Sequence, residues 1–207
     1  MANIIEKAED YVSSATISME MLRDKLSEFL AVERGGLKLY DEAIKIVTDS
    51  QVSKKFEVFR DQTRKHETIL MRVMEQLGID PAYLSPAAKV AQLKANGLLG
   101  TMTSPDGLHS KAAEINAIEN IVLAETKDHA DWEMLGKIAR QSNDSRLREV
   151  LKPAVSEVEP EEDEHLNWTK EQMARLEFAE ISEREKNSSQ IRGDAPSRHL
   201  WLLKNLP

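Results

Sequence analysis

Cysteine is absent from the 207 residues, which removes disulfides, thiolate metal sites and thiol nucleophiles at once. Any metal must therefore sit on carboxylates and imidazoles, a donor set that suits iron, manganese or zinc. Glycine (8) and proline (7) are scarce and aromatics make up only 5%, so a sheet protein or a disordered chain is disfavoured and an aliphatic helical core is expected. No long run of Lys and Arg accompanies the net charge of -8, which argues against nucleic acid and makes cations the natural partners. No stretch of about 18 apolar residues occurs, and Met1-Ala2-Asn3-Ile4-Ile5-Glu6 lacks the charged and apolar regions of an export signal. No membrane partner is expected, and the expected address is cytoplasmic.

What remains is helical periodicity. The length fits one domain with appendages, expected here as a bundle over residues 1–180 and a polar linker with a short apolar docking segment over 181–207. A short N-terminal helix is expected over 3–13. The first long helix runs from about Ser18 to Thr48, with Leu22, Leu26, Phe29, Glu33, Leu37, Tyr40, Ile44 and Val47 along one stripe. The second carries Val52, Phe56, Phe59, Thr63, His66, Leu70, Val73 and Leu77 and ends at Gly78 and Asp80-Pro81. Residues 79 to 106 form a long connection with one short helix, from Ser85-Pro86 to Asn96-Gly97, able to cross from one end of a bundle to the other. The third long helix, about Ser110 to Gln141, presents Ile118, Val122, Glu125, His129, Trp132 and Leu135. The fourth follows Ser142-Asn143-Asp144 and presents Leu151, Val155, Val158, Glu162, His165, Thr169, Gln172 and Leu176, with a kink or restart expected at Pro153 and Pro160.

Each stripe is interrupted by polar groups at the same depth: Glu33, Thr63 with His66, Glu125, and Glu162 with His165. Burying an unpaired carboxylate or imidazole costs several kcal/mol, roughly, so a shared partner is called for, and a metal ion is the usual one. The halves also echo each other, since Glu33 has Tyr40 seven residues on and Glu125 has Trp132 seven on, with His66 answering His165. Glu161 and Glu164 are expected to face solvent, and His129 to be exposed or packed rather than a ligand.

This constellation resembles the ferritin-like superfamily, and rubrerythrin-type members in particular, without any cysteine-bearing rubredoxin segment. That family places one Glu on each of two helices and Glu-x-x-His on each of the other two, around two iron or manganese ions. The resemblance, over roughly residues 18 to 178, implies an all-α antiparallel four-helix bundle with the long crossover between its second and third helices. It implies that Glu33 and His66 serve one metal, Glu125 and His165 the other, with Glu162 bridging. Thr63 departs from the pattern, leaving three carboxylates where the family has four, so one, two or no metals are compatible with the residues. The implied activity is iron chemistry, with manganese as the lesser option, on oxygen or peroxide of ferroxidase or peroxidase type. The alternative is a bundle that has lost its metal and serves as an oligomeric stress or scaffold protein. A homodimer or higher oligomer is expected, as is docking of the C-terminal apolar tail onto this bundle, a neighbouring subunit or another protein.

Overall fold

The structure is a computed structural model that describes residues 15–104 and 110–193, with side chains described as far as residue 182. The expected N-terminal helix over 3–13 and the apolar tail from 194 lie outside the described residues. Five helices follow one another: α1 (Met19–Ile46), α2 (Ser50–Gln76), α3 (Pro86–Thr103), α4 (Ser110–Gln141) and α5 (Ser145–Gly193).

Local chemistry sets the boundaries. Ser18, Asp49 and Ser85 cap α1, α2 and α3 by accepting from the backbone N–H of Met21, Gln51 and Ala88. Asp144 does the same for α5 through Arg146 and Leu147. At the end of α2, Gly78 takes a φ of 76°, and the N–H groups of Gly78 and Ile79 return to the carbonyls of Glu75 and Met74. Only glycine enters that left-handed turn without steric cost, which is why the helix stops there.

The four long helices close a ring in which α1 packs on α2 and α4, and α5 packs on α2 and α4. Ion pairs Lys55–Glu164 and Lys65–Glu157 fix α2 antiparallel to α5. The Glu114 carboxylate accepts from the Thr48 N–H at 2.9 Å, tying the start of α4 to the α1–α2 turn. The crossover helix α3 lies outside the ring, against α1 and α4. It extends to Thr103, past the Asn96-Gly97 end expected from sequence. Both residues are exposed there, and nothing lies within 4 Å of a Cβ on Gly97. Neither side chain is therefore needed for turn geometry, and the helix continues.

Of the kink or restart expected at Pro153 and Pro160, the restart is corrected in α5. The helix is unbroken from Ser145 to Gly193, with no restart at Pro153 or Pro160. Both prolines are exposed, so each forfeits one intrahelical hydrogen bond on the watered face while the buried face keeps its packing. The same helix also continues through 182–193, a stretch read as linker from its polarity.

Besides a small cluster of Ala31, Ala88 and Ala91 between α1 and α3, the core of the ring falls into two apolar clusters. One joins Leu22, Leu26, Phe29, Leu70, Trp132 and Leu151, and the other Tyr40, Phe56, Phe59, Ile118, Ile121 and Leu176. Between them lies a buried polar layer. On the outside of α1, an ideal Cβ on Gly35 would stand 2.7 Å from the Ala95 Cβ of α3, whereas one on Gly36 would lie 3.6 Å from Thr63 Cγ2. Gly35→Ala is accordingly expected to lower stability by about 1–3 kcal/mol through α1–α3 overpacking, despite the helix propensity gained. Gly36→Ala is expected to be neutral or stabilising by up to about 1 kcal/mol. Urea denaturation of the two variants checks this, and equal effects would show that α3 is not clamped at Gly35.

Candidate metal centre

The layer between the two apolar clusters is built by one turn from each long helix. Glu33 comes from α1, Thr63 and His66 from α2, Glu125 from α4, and Glu162 and His165 from α5, and every one is buried. One ligand atom each from Glu125, Glu162 and His165 lies within 4.8 Å of the others. Glu162 Oε1 faces both imidazoles, at 2.8 Å from His66 Nδ1 and 3.6 Å from His165 Nδ1. Glu125 Oε2 stands 3.3 Å from His165 Nδ1. The two rings stack with centroids 5.6 Å apart.

The outer nitrogen of each ring decides what the inner one can do. His66 Nε2 is 2.7 Å from Glu161 Oε2, an acceptor only, so Nε2 carries the proton and donates it. His165 Nε2 donates likewise to Gln62 Oε1 at 3.0 Å. Both inner Nδ1 atoms are thereby left as bare lone pairs. They point at carboxyl oxygens of Glu162 and Glu125, and none of these contacts has hydrogen-bond geometry. Glu33 Oε2, His66 Nδ1, Glu125 Oε2, both oxygens of Glu162, His165 Nδ1 and one oxygen of Asp128 are all buried without a hydrogen-bond partner. So many converging acceptors repel unless protons or a cation sit among them. Imidazoles oriented by a carboxylate or amide on the far nitrogen are the usual arrangement around a metal.

The electrostatics follow from burial. Burial first, then Asp128 and Glu125 beside it, pushes the Glu33 carboxyl well above the usual range, against the opposing bond from Trp132. Burial and then Glu125 and Glu33 do the same to Glu162, and burial and Glu162 to Asp128. Burial pulls His66 down to about 4, against the opposing effect of Glu161.

Two neighbours, Glu161 and Asp128, differ from the sequence reading. Glu161, expected in solvent, is half-buried and serves as the acceptor for His66 while pairing with Lys65 at 2.9 Å. Glu164 does face solvent. Asp128 was not singled out, although it repeats the Glu-x-x-ligand spacing of Glu162 and His165 from Glu125 on α4. It is 4% exposed, whereas His129, the next residue, is turned outwards to Asp163 at 2.7 Å. Thr63 contributes nothing to the cluster, because its hydroxyl donates back to the Phe59 carbonyl at 3.0 Å. Tyr40 and Trp132 both reach the layer: Trp132 Nε1 donates to Glu33 Oε1 at 2.8 Å, and the Tyr40 hydroxyl is buried without a partner beside Glu125.

The family model described as ubiquinone biosynthesis protein COQ7 matches residues 27–181, well over half of the chain. The chain belongs to that family. It is a di-iron carboxylate family of ferritin-like fold, and its members are iron-dependent oxidoreductases. The matched span runs from within α1 to within α5 and contains every residue of the polar layer. Iron is accordingly the cofactor, with the buried Glu and His group fitting the donor set it takes. No curated protein and no solved structure matches the chain. Among the described residues no helix is long and apolar enough to cross a membrane.

The titrations carry a sign. Glu33, Asp128 and Glu162 bind protons more tightly folded than unfolded, so the stability they contribute as neutral acids is complete below the ordinary carboxylate range and is lost as pH rises through their elevated values. His66 acts the other way: its stability is present above the ordinary value of 6.5 and is lost as pH falls towards about 4. Metal-free Glu162→Gln is therefore expected to be more stable than the metal-free parent at pH 8, by about 1–4 kcal/mol, with the advantage shrinking towards pH 5. Urea unfolding in chelator at both pH values checks it, and a variant less stable at pH 8 would contradict the assigned burden of charge.

Proposed function

We propose that the chain is an oxygen-using iron hydroxylase acting on a ring precursor of ubiquinone, with Glu33, His66, Glu125, Glu162 and His165 as its metal ligands. The observation that carries the reading is the set of buried, unpartnered carboxyl and imidazole atoms converging between two apolar plugs, with both imidazoles aimed inwards by partners on their outer nitrogens. When bound there, iron supplies the reductive activation of oxygen. The overall change inserts one oxygen atom into a ring C–H bond and sends the other to water, consuming two protons and two electrons from an external reductant.

The chain's own residues set the conditions. Gln62 and Glu161 fix the tautomer and plane of His165 and His66, and Trp132 holds one oxygen of Glu33, leaving the other directed inwards. The aliphatic and aromatic clusters above and below exclude water, which strengthens every interaction inside the layer. Glu162, facing both histidines through one oxygen, is the carboxylate placed to be shared.

An organic substrate is favoured over bare ferroxidase chemistry by a cavity of about 480 Å³ between α1, α3 and α4. Gly35, Gly36, Leu39, Leu98 and Ala124 line it, and Lys127 stands at its wall. Gly36 separates it from Thr63 of the polar layer by a single missing side chain. Its apolar lining suits a ring carrying a hydrocarbon tail better than a hydrated ion.

Fe(II) titrated anaerobically into protein purified without chelator is expected to raise the melting temperature, with a gain of about 2.7 kcal/mol when free metal exceeds the dissociation constant a hundredfold. The double change Glu162→Ala with His165→Ala is expected to abolish uptake. Oxygen consumption should then require both a reductant and a prenylated phenol. Histidine-independent iron content would overturn the ligand assignment, and oxygen consumption indifferent to the phenol would return the reading to ferroxidase chemistry.

A further inference from the structure

The resemblance that assigns this fold calls for four carboxylates and two histidines, and position 63 holds a threonine whose hydroxyl is spent on its own helix. The layer nevertheless contains a fourth carboxylate. Asp128 lies one turn along α4 from Glu125 and on the same buried face, 4% exposed, with Oδ1 lacking any hydrogen-bond partner. Glu33, Glu162 and Glu125 all lie near enough for their charges to act on Asp128 or its charge on theirs. Among the described residues no ion pair joins it to a cationic side chain. Lys127, the residue before it, is turned away to Asp131 and Glu28, and Trp132 donates to Glu33 instead. Asp128 therefore adds a buried, unpartnered carboxyl to the layer from α4, one turn along from Glu125.

Resting on the iron-binding reading above, we propose that Asp128 is a metal ligand, replacing from α4 the carboxylate missing at Thr63 on α2, so that the chain holds two iron ions. The donor set becomes Glu33, Asp128 and His66 on one side and Glu125 and His165 on the other, with Glu162 facing both. The four carboxylates offset the four positive charges of two ferrous ions, which three would leave one short. The relocation also accounts for the burial of an aspartate that has no other partner than a second acid. A buried acid pair of that kind is costly in itself and is stabilised by a cation between or beside its members.

The test is the number of irons bound. Anaerobic Fe(II) titration of full-length parent, Asp128→Asn, and Asp128→Asn with Thr63→Glu is followed by release into a chromogenic chelator, with circular dichroism confirming that each variant is folded. The expected result is two irons for the parent. Asp128→Asn should lose one iron or bind it about tenfold or more weakly, and the double variant should recover both. Two tightly held irons in Asp128→Asn overturn the proposal, as does a double variant that remains at one. A parent that binds a single iron also overturns it while leaving the iron-binding reading intact. A parent that binds none overturns both. Should Asp128→Asn fail to fold, Asp128→Ala with Thr63→Glu takes its place, with two irons expected and one contradicting.

Discussion

The constraint on which the molecule depends is the direction of two imidazole lone pairs. Glu161 and Gln62 accept the outer N–H of each ring, and the inner nitrogens point at buried carboxyl oxygens with which they make no hydrogen bond. That arrangement is unfavourable as it stands, and the rest of the bundle is what enforces it. Caps at Ser18, Asp49, Ser85 and Asp144 fix where helices begin, the Gly78 turn fixes where α2 stops, and the antiparallel ion pairs fix the register in which α2 and α5 meet. Two apolar clusters supply the burial energy that outweighs the strain of the layer between them. Stability is spent on preorganisation, as it is in sites that must hold charge away from water.

Much of this was legible in the sequence because helical periodicity is strict. A polar residue in a stripe of Leu, Ile and Phe is visible without coordinates, and the match in depth among Glu33, His66, Glu125, Glu162 and His165 follows from counting turns. The all-helical bundle and its long crossover were legible for the same reason. What escaped notice was rotational. On α4 a stripe through Glu125 can continue to either the third or the fourth residue, and Ile118, Val122, Glu125, His129 took the fourth. The helix faces the layer with the third, so Asp128 is inside and His129 out. The one usable signal was the repeat of the Glu-x-x spacing seen in Glu162 and His165.

The prolines of α5 show a different kind of limit. Their effect depends on which side of the helix they occupy, and sequence alone weighs only that they interrupt a pattern. Once both are seen on the exposed face, the continuity of α5 needs no special device. Glu161 was likewise assigned to solvent by its neighbourhood of charges, yet a half-buried position is the one from which it can receive the His66 proton and still pair with Lys65. Roles of this outer kind depend on contacts between helices nearly a hundred residues apart, which no local pattern encodes.

The two apolar clusters also determine geography. Because each fills the cross-section on its own side of the polar layer, the ends of the bundle are stoppered, and traffic of ions, gas or substrate must run sideways through seams between helices. Two seams approach the layer closely among the described residues. One is polar, between α2 and α5, where Gln62, Lys65 and Glu161 meet. The other is the apolar gap at Gly35 and Gly36, between α1, α3 and α4. Under the proposed function, ions and an oily substrate would approach the same interior from different flanks, one polar and one apolar.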